Sequence, residues 1–143
     1  MAKSRRNLQV FIAHSSQDDW IARHVAIHVE ECGAATFLDH SNIQVGDDFD
    51  AQIFKAAAAS QELLILLTPW SIQRHYLWME LGLFWKTSKR IVSIYHGFTA
   101  HEIAAHDGIP VRLKLGHLVS LNEIDQYLKE LTARAQSWRL GNG

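Results

Sequence analysis

Short apolar runs alternate along the chain with longer stretches of helical periodicity. Five runs are rich in β-branched and large apolar side chains, which favours strands, at residues 8–13, 35–38, 62–67, 90–95 and 117–121. The third run does not alternate with polar residues, and this predicts a strand that is buried on both faces.

The stretches between and after these runs predict helices. Apolar residues at helical spacing mark them at about residues 16–31, 49–57, from 75 onward and 124–135. Ser16 and Asp19 are spaced as a capping pair, and Gly33 lies where a helix C-cap belongs. Residues 96–116 contain three glycines and Pro110, so we expect mostly loop with one short helix.

This alternation predicts an α/β fold. Strands joined by helices through short connections form a parallel sheet with helices on both faces. Five strands favour the flavodoxin-like order 2-1-3-4-5. No repeat or low-complexity linker interrupts the 143 residues, so we expect one domain over residues 1–143, with a core at about 7–138 and flexible ends.

Composition and charge exclude several partners. The formal net charge is −1 and both signs are interspersed, so no one-sided field is available for nucleic acid or an anionic membrane. No apolar run reaches the roughly 20 residues that a membrane helix needs, and no signal peptide is recognisable. The single cysteine, Cys32, excludes a disulfide within the chain. We therefore expect a cytoplasmic protein without nucleic-acid or membrane contacts.

One carboxylate interrupts an apolar helical stripe. Leu77, Leu81 and Phe84 fall on one helix face, and Glu80 lies among them. Burying a charge is costly unless the charge is paired or used. Glu80 is therefore either a functional acid or half of a buried ion pair, with a base on a neighbouring strand such as Arg90 as its partner.

Ligands of parallel sheets bind beyond the carboxyl ends of the strands. Three segments are expected to converge there. They are residues 13–16, the long polar loop at 39–48, and the stretch after the third strand that leads into Glu80.

Several common kinds of site are missing from the sequence. It has no GxxxxGK[ST] loop, no GxGxxG after the first strand and no GxSxG. A phospho-accepting receiver domain has an aspartate at the end of its third strand, where this chain has Leu67, Thr68 and Pro69. His24 and His28 are four residues apart on one helix, but the Glu of HExxH and a third zinc ligand are lacking, so we expect no metal site.

The order and spacing of the segments resemble a TIR domain, most closely a bacterial one. The resemblance covers about residues 7–135. It rests on five segments, FIAHSS (11–16), FLD (37–39) with Ile43 and Gly46, LLTPWS (66–71), YLWMELG (76–82) and KRI (89–91).

Many TIR domains cleave NAD⁺ at the nicotinamide–ribose bond, and the resemblance implies the same activity here. The family's catalytic glutamate lies four residues after a tryptophan, and in this chain Glu80 holds the acid position while Tyr76 replaces the tryptophan. The resemblance places cofactor contacts at Ser15 and Ser16, where some members carry arginines. A further contact falls on Gln44, just before the loop glycine, where some members carry an acid.

His14 and Asp39, which follow the first two predicted strands, complete the implied NAD⁺ site. The products would be nicotinamide and ADP-ribose, or a cyclic form of ADP-ribose, and no metal or further cofactor is implied. The resemblance implies an enzyme that is activated by assembly into oligomers. In that family, the loop that corresponds to residues 39–48 helps to form the active site of the neighbouring domain. The resemblance thus implies TIR–TIR self-association, including filaments, a fused or separate sensor module, and a role in bacterial antiviral defence.

Two other functions remain open. TIR adaptors signal by assembly alone, and some of them lack the glutamate. Nucleoside deoxyribosyltransferases have the same type of fold and a glutamate that acts at the sugar C1′. Release of nicotinamide from NAD⁺ separates these possibilities, because neither an adaptor nor a deoxyribosyltransferase produces it.

Overall fold

The computed structural model describes residues 7–38 and 49–142. Within these residues the strands are β1 (Gln9–Ala13), β2 (Ala35–Leu38), β3 (Glu62–Leu67), β4 (Arg90–Tyr95) and β5 (Leu118–Ser120). The α-helices are α1 (Asp19–Glu31), α2 (Phe49–Ala59), α3 (His75–Lys86), α4 (Ala100–Ala105), α5 (Val111–Leu115) and α6 (Ile124–Asn142).

The strands form one parallel sheet in the order β2-β1-β3-β4-β5. This confirms the predicted fold class and the flavodoxin-like order. Every residue of β3, the central strand, is buried, as its unbroken apolar pattern predicted. The carboxyl ends of β1 and β3 lie side by side, since Ala13 pairs with Ile65.

Helices cover both faces of the sheet. Successive strand residues point to opposite faces, so two separate apolar clusters form. One cluster joins α1 and α6 to one face, with Val25, Val29, Leu131, Ile12 and Leu64 among its members. The other joins α2, α3, α4 and α5 to the opposite face, with Ile53, Leu81, Ile103, Leu113 and Ile65 among its members. None of the helices in the described ranges combines the length and apolar character needed to cross a membrane.

The ends of the first and last helices correct the sequence-based prediction. A 3-10 turn occupies Ser16–Asp18, and α1 begins at Asp19 without any side-chain cap, so the predicted capping pair is wrong. The carboxylate of Asp18 is used instead in a buried cluster of hydrogen bonds. Gly33 has a φ of +95° just after α1, as a helix-ending glycine should. The last helix continues to Asn142, beyond the predicted end near residue 135.

Residues 96–116 hold two short helices, where the sequence predicted mostly loop with one. A capping box starts α4, because Thr99 accepts from the Glu102 N–H and Glu102 accepts from the Thr99 N–H. Pro110 precedes α5. Ile103 and Leu113 are buried in the core and hold the two helices against the sheet.

A buried polar cluster lies at the amino end of β3. Glu62 is 2% exposed, and its Oε1 accepts a hydrogen bond from Arg134 Nε at 2.5 Å. The hydroxyl of Tyr127 donates to Glu62 Oε2 at 3.1 Å. Burial raises the pKa of the Tyr127 hydroxyl, and the adjacent Glu62 carboxylate raises it further. Tyr127 therefore keeps its proton and remains a donor under conditions in which an exposed tyrosine would ionise.

This raised pKa predicts that the fold loses stability in alkali. Above the ordinary tyrosine pKa of 10.0, the unfolded chain releases a proton that the folded protein retains. The unfolded state then binds fewer protons, so the free energy of unfolding falls with rising pH, by about 1.4 kcal/mol per pH unit for this group. Urea unfolding of the wild type and of Tyr127→Phe above pH 10.0 measures the effect. The variant should show the shallower decline, and equal slopes would contradict the assignment.

Candidate functional site

The carboxyl ends of β1 and β3 are tied together by the buried carboxylate of Asp18. Its Oδ2 accepts a hydrogen bond from Ser15 Oγ at 2.7 Å and another from Thr68 Oγ1 at 2.5 Å. Ser15 follows β1 and Thr68 follows β3. All three residues are at most 2% exposed, so water does not compete for these hydrogen bonds.

Thr68 also organises the turn that leads toward α3. Its backbone N–H donates to Ser71 Oγ at 2.9 Å, and its hydroxyl oxygen accepts from the Ser71 N–H at 3.1 Å. The Trp70 N–H approaches the same hydroxyl oxygen at 3.3 Å. A single threonine thus fixes the path of the chain after β3 and connects that path, through Asp18, to the end of β1.

Glu80 lies in the second turn of α3, and its side chain is fully buried. Leu77, Leu81 and Phe84 on the same helix face are also buried, as the apolar stripe predicted. Its Oε1 is 3.8 Å from Arg74 Nη2, which makes an ion pair that is too long for a direct hydrogen bond.

Arg74 connects Glu80 to the end of β1. The residue immediately precedes α3, its side chain is 18% exposed, and its Nη1 donates to the backbone carbonyl of His14. Arg90, the partner considered from the sequence, lies beside Glu62 instead, with Nε 3.6 Å from the Glu62 carboxylate. The basic neighbour of Glu80 therefore comes from its own helix start rather than from a neighbouring strand.

The first strand brings His14 to the same edge. His14 is fully buried, and its Nε2 lies 3.4 Å from Asp19 Oδ1. The other carboxylate oxygen of Asp19, Oδ2, forms an ion pair with Arg23 Nε at 2.7 Å. Ser15 is buried and donates to Asp18, whereas Ser16 is exposed and its hydroxyl donates to the side chain of its neighbour Gln17. Of the two serines, Ser16 therefore has the accessible hydroxyl.

Three of the proposed NAD⁺ contacts rest on parts of the chain that are not described. Asp39 and Gln44 lie outside the described residues, and so does the side chain of Tyr76. The backbone of Tyr76 belongs to α3, four residues before Glu80. Among the predicted site residues, the structure thus brings His14, Ser15 and Glu80 to one edge of the sheet.

Sequence reasoning missed three residues of this edge: Asp18, Thr68 and Arg74. Ser15 and Asp18 have the spacing of a local Ser–Asp hydrogen bond, which is a signal that the sequence contains. Arg74 gives no such signal, because His14, whose carbonyl it contacts, lies 60 residues away in the sequence. Within the described ranges, no group of three or more His, Cys, Asp or Glu residues could hold a metal ion.

The buried carboxylate of Glu80 can stabilise positive charge. A carboxylate enclosed in a low-dielectric interior interacts strongly with any positive charge that develops next to it. Arg74 Nη2, 3.8 Å from Glu80 Oε1, offsets part of the charge of Glu80. Binding of a cationic group near Glu80 would place a second positive charge on the same carboxylate.

Comparison of the sequence with family models gives one match. Residues 10–132 match the model described as TIR domain, which covers most of the chain. A comparison with the sequences of curated proteins returned no match.

Comparison with solved structures gives the same fold. The TIR domain of the Toll-related receptor TRR-2 from Hydra magnipapillata has a TM-score of 0.62 and 18% identity, covering 90% of this chain and 94% of that one. The TIR domains of the activated Roq1 resistosome, which directly recognises the effector XopQ, have a TM-score of 0.61 and 15% identity, covering 92% and 79%. A 2-desoxiribosyltransferase from Leishmania mexicana has a TM-score of 0.63 and 14% identity, covering 85% and 97%. At these identities the likeness shows a shared fold.

Proposed function

This chain belongs to the TIR domain family, whose model covers residues 10–132, and on that premise we propose that it cleaves the nicotinamide–ribose bond of NAD⁺. The observation that carries the proposal is the position of Glu80. This carboxylate is fully buried in α3, and Arg74 links it to the end of β1, at the sheet edge where parallel α/β folds bind ligands.

The chemistry needs one carboxylate and no further cofactor. Nicotinamide leaves NAD⁺ with the electron pair of the C1′–N bond, and this neutralises its pyridinium charge. The ribose becomes an oxocarbenium ion, which the carboxylate of Glu80 stabilises as positive charge develops at C1′. Water then adds at C1′ and loses a proton, giving ADP-ribose. A nucleophile within the ADP-ribose unit gives a cyclic product instead.

The burial of Glu80 supports a requirement for activation. A carboxylate with no exposed surface cannot touch a ribose until a neighbouring group moves away. We therefore propose that the lone domain is weakly active and that head-to-tail TIR–TIR contacts open and complete the site. The residues proposed to contact NAD⁺ in that state are His14, Ser15, Ser16, Asp39, Gln44 and Tyr76.

One solved structure of similar fold supports this assembly model. It is the activated Roq1 resistosome, which directly recognises the effector XopQ and whose TIR domains have this fold. A sensor, either fused or separate, would provide the trigger for assembly. We place the activity in bacterial antiviral defence, where depletion of NAD⁺ would stop the growth of an infected cell.

The dependence on assembly can be measured directly. When association is weak, the assembled fraction rises in proportion to total protein, so a tenfold rise in concentration should raise nicotinamide release per molecule about tenfold. The measurement is the initial rate of nicotinamide release over a concentration series, with and without a crowding agent. A rate per molecule that does not change across the series would rule out activation by assembly while leaving cleavage itself intact.

The same series tests the alternatives. An adaptor would self-associate and leave NAD⁺ intact at every concentration. A deoxyribosyltransferase would exchange the base of a 2′-deoxynucleoside for a free base. Because the 2-desoxiribosyltransferase from Leishmania mexicana has a similar fold, a 2′-deoxynucleoside with a free base should be assayed in the same series. Base exchange without nicotinamide release would replace the proposed function with a transferase.

A further inference from the structure

A second polar site lies at the opposite edge of the sheet. A cavity of about 160 Å³ opens between α6 and the amino ends of β4 and β5. Its lining includes Arg90, His117 and Arg134. Glu80 belongs to the carboxyl-end edge, so neither Glu80 nor the residues linked to it take part in this cavity.

One donor nitrogen of Arg134 has no hydrogen-bond acceptor in the described part of the chain. Its Nε donates to Glu62, but its Nη2 is buried and has no hydrogen-bond partner among the described residues. A buried donor without an acceptor costs about 1–3 kcal/mol, and more when the group is charged. An acceptor that reached this nitrogen from the cavity, which Arg134 lines, would remove that cost.

The charges around the cavity favour an anion. Glu62 already accepts from Arg134 and from the hydroxyl of Tyr127, so both of its oxygens are occupied. Arg90 Nε lies 3.6 Å from Glu62 Oε1, which is too far for a full hydrogen bond. Two guanidinium groups therefore face the one buried carboxylate beside the cavity.

The rim adds groups that can adapt to a ligand. His117 is exposed at the mouth and can donate a further hydrogen bond. Glu130 also lines the cavity, but it is exposed and its Oε2 accepts from Gln126 Nε2 at 2.9 Å. The carboxylate of Glu130 is thus exposed to solvent, while the guanidinium groups of Arg90 and Arg134 lie beside the buried carboxylate of Glu62.

From this geometry we propose that the cavity binds a compact oxyanion of the phosphate type. Guanidinium groups bind such anions through paired N–H donors, and a planar fork like that of Arg134 suits two oxygens of one phosphate. The cavity volume of about 160 Å³ is many times the ~10–15 Å³ that a cavity needs to hold one water molecule, so a phosphate group fits with waters around it. The site does not depend on the proposed NAD⁺ cleavage.

The test is a titration of the whole chain with inorganic phosphate, followed by NMR of the arginine Nε–H resonances. Chloride at matched ionic strength provides the reference, and acetate tests whether a single carboxylate suffices. Phosphate should shift the Arg90 and Arg134 resonances and saturate at a dissociation constant of about 1 mM or below. Arg90→Gln and Arg134→Lys should each weaken binding about tenfold, since each removes a hydrogen bond to a charged group.

A control variant and a second cavity variant make the phosphate titration conclusive. Lys129→Gln removes one positive charge from an exposed position on α6 outside the cavity lining and should leave phosphate binding unchanged. Arg134→Lys retains a cation beside Glu62, and if it fails to fold, Arg90→Gln carries the test, because Arg90 is 56% exposed. The proposal would be overturned if chloride produced the same shifts of the arginine resonances as phosphate. It would also be overturned if a folded cavity variant bound phosphate as tightly as the wild type.

Discussion

Replacing Glu80 by glutamine is expected to lower the rate of nicotinamide release from NAD⁺ on the order of 10³-fold. Glutamine has nearly the same shape but carries no charge, so it cannot stabilise the oxocarbenium ion. The loss should fall on kcat more than on KM, because the charge at C1′ develops only in the transition state. Steady-state kinetics at a protein concentration that supports assembly measures both quantities.

A matched variant separates catalysis from a general effect of charge. Glu123→Gln makes the same chemical change at an exposed position outside the site and should retain the wild-type rate. Thermal unfolding shows whether Glu80→Gln remains folded, since it also removes the ion pair with Arg74. A folded Glu80→Gln variant that releases nicotinamide as fast as the wild type would exclude a catalytic role for this carboxylate.

Replacing Asp18 by alanine should produce the second large effect, a loss of about 3 kcal/mol in the free energy of unfolding. The change leaves the hydroxyls of Ser15 and Thr68 buried without their shared acceptor. Because the same carboxylate joins the chain after β1 to the chain after β3, any NAD⁺ cleavage should fall as well. Urea unfolding gives the stability, and nicotinamide release by the folded protein gives the activity.

Two further variants define what Asp18 contributes. Asp18→Asn keeps one oxygen that can accept from Ser15 and Thr68, so its loss of stability should be smaller than that of Asp18→Ala. Asp107→Ala removes an exposed aspartate and should change stability by less than about 0.5 kcal/mol. An Asp18→Ala variant as stable as Asp107→Ala would mean that the buried hydrogen bonds do not hold the two segments together.

The architecture was predictable because it follows from local patterns. Each strand is a short apolar run, and the unbroken run of β3 identified the central strand. The two short helices between β4 and β5 were harder to predict because each is shorter than two turns. Their formation depends on contacts of Ile103 and Leu113 with the core, which a linear pattern does not contain.

The candidate site was predictable only in part, for a related reason. Glu80 stood out because an acid interrupts an apolar stripe, and that conflict is visible along the sequence. Thr68 lies 50 residues from Asp18, and Arg74 lies 60 residues from His14. Such partners come together only when the parallel sheet brings strand ends to one edge. The predicted capping pair failed similarly, since Ser16 belongs to a 3-10 turn and the carboxylate of Asp19 lies beside Arg23 and His14 instead.

The proposed role of Glu80 in the cleavage of NAD⁺ is most directly tested by proton NMR of NAD⁺ incubated with concentrated wild-type protein. We predict that the ribose H1′ signal next to nicotinamide disappears while free nicotinamide appears in equal amount, and that Glu80→Gln leaves NAD⁺ intact. An unchanged NAD⁺ spectrum with assembled wild-type protein would contradict the account and leave this TIR domain as an interaction module.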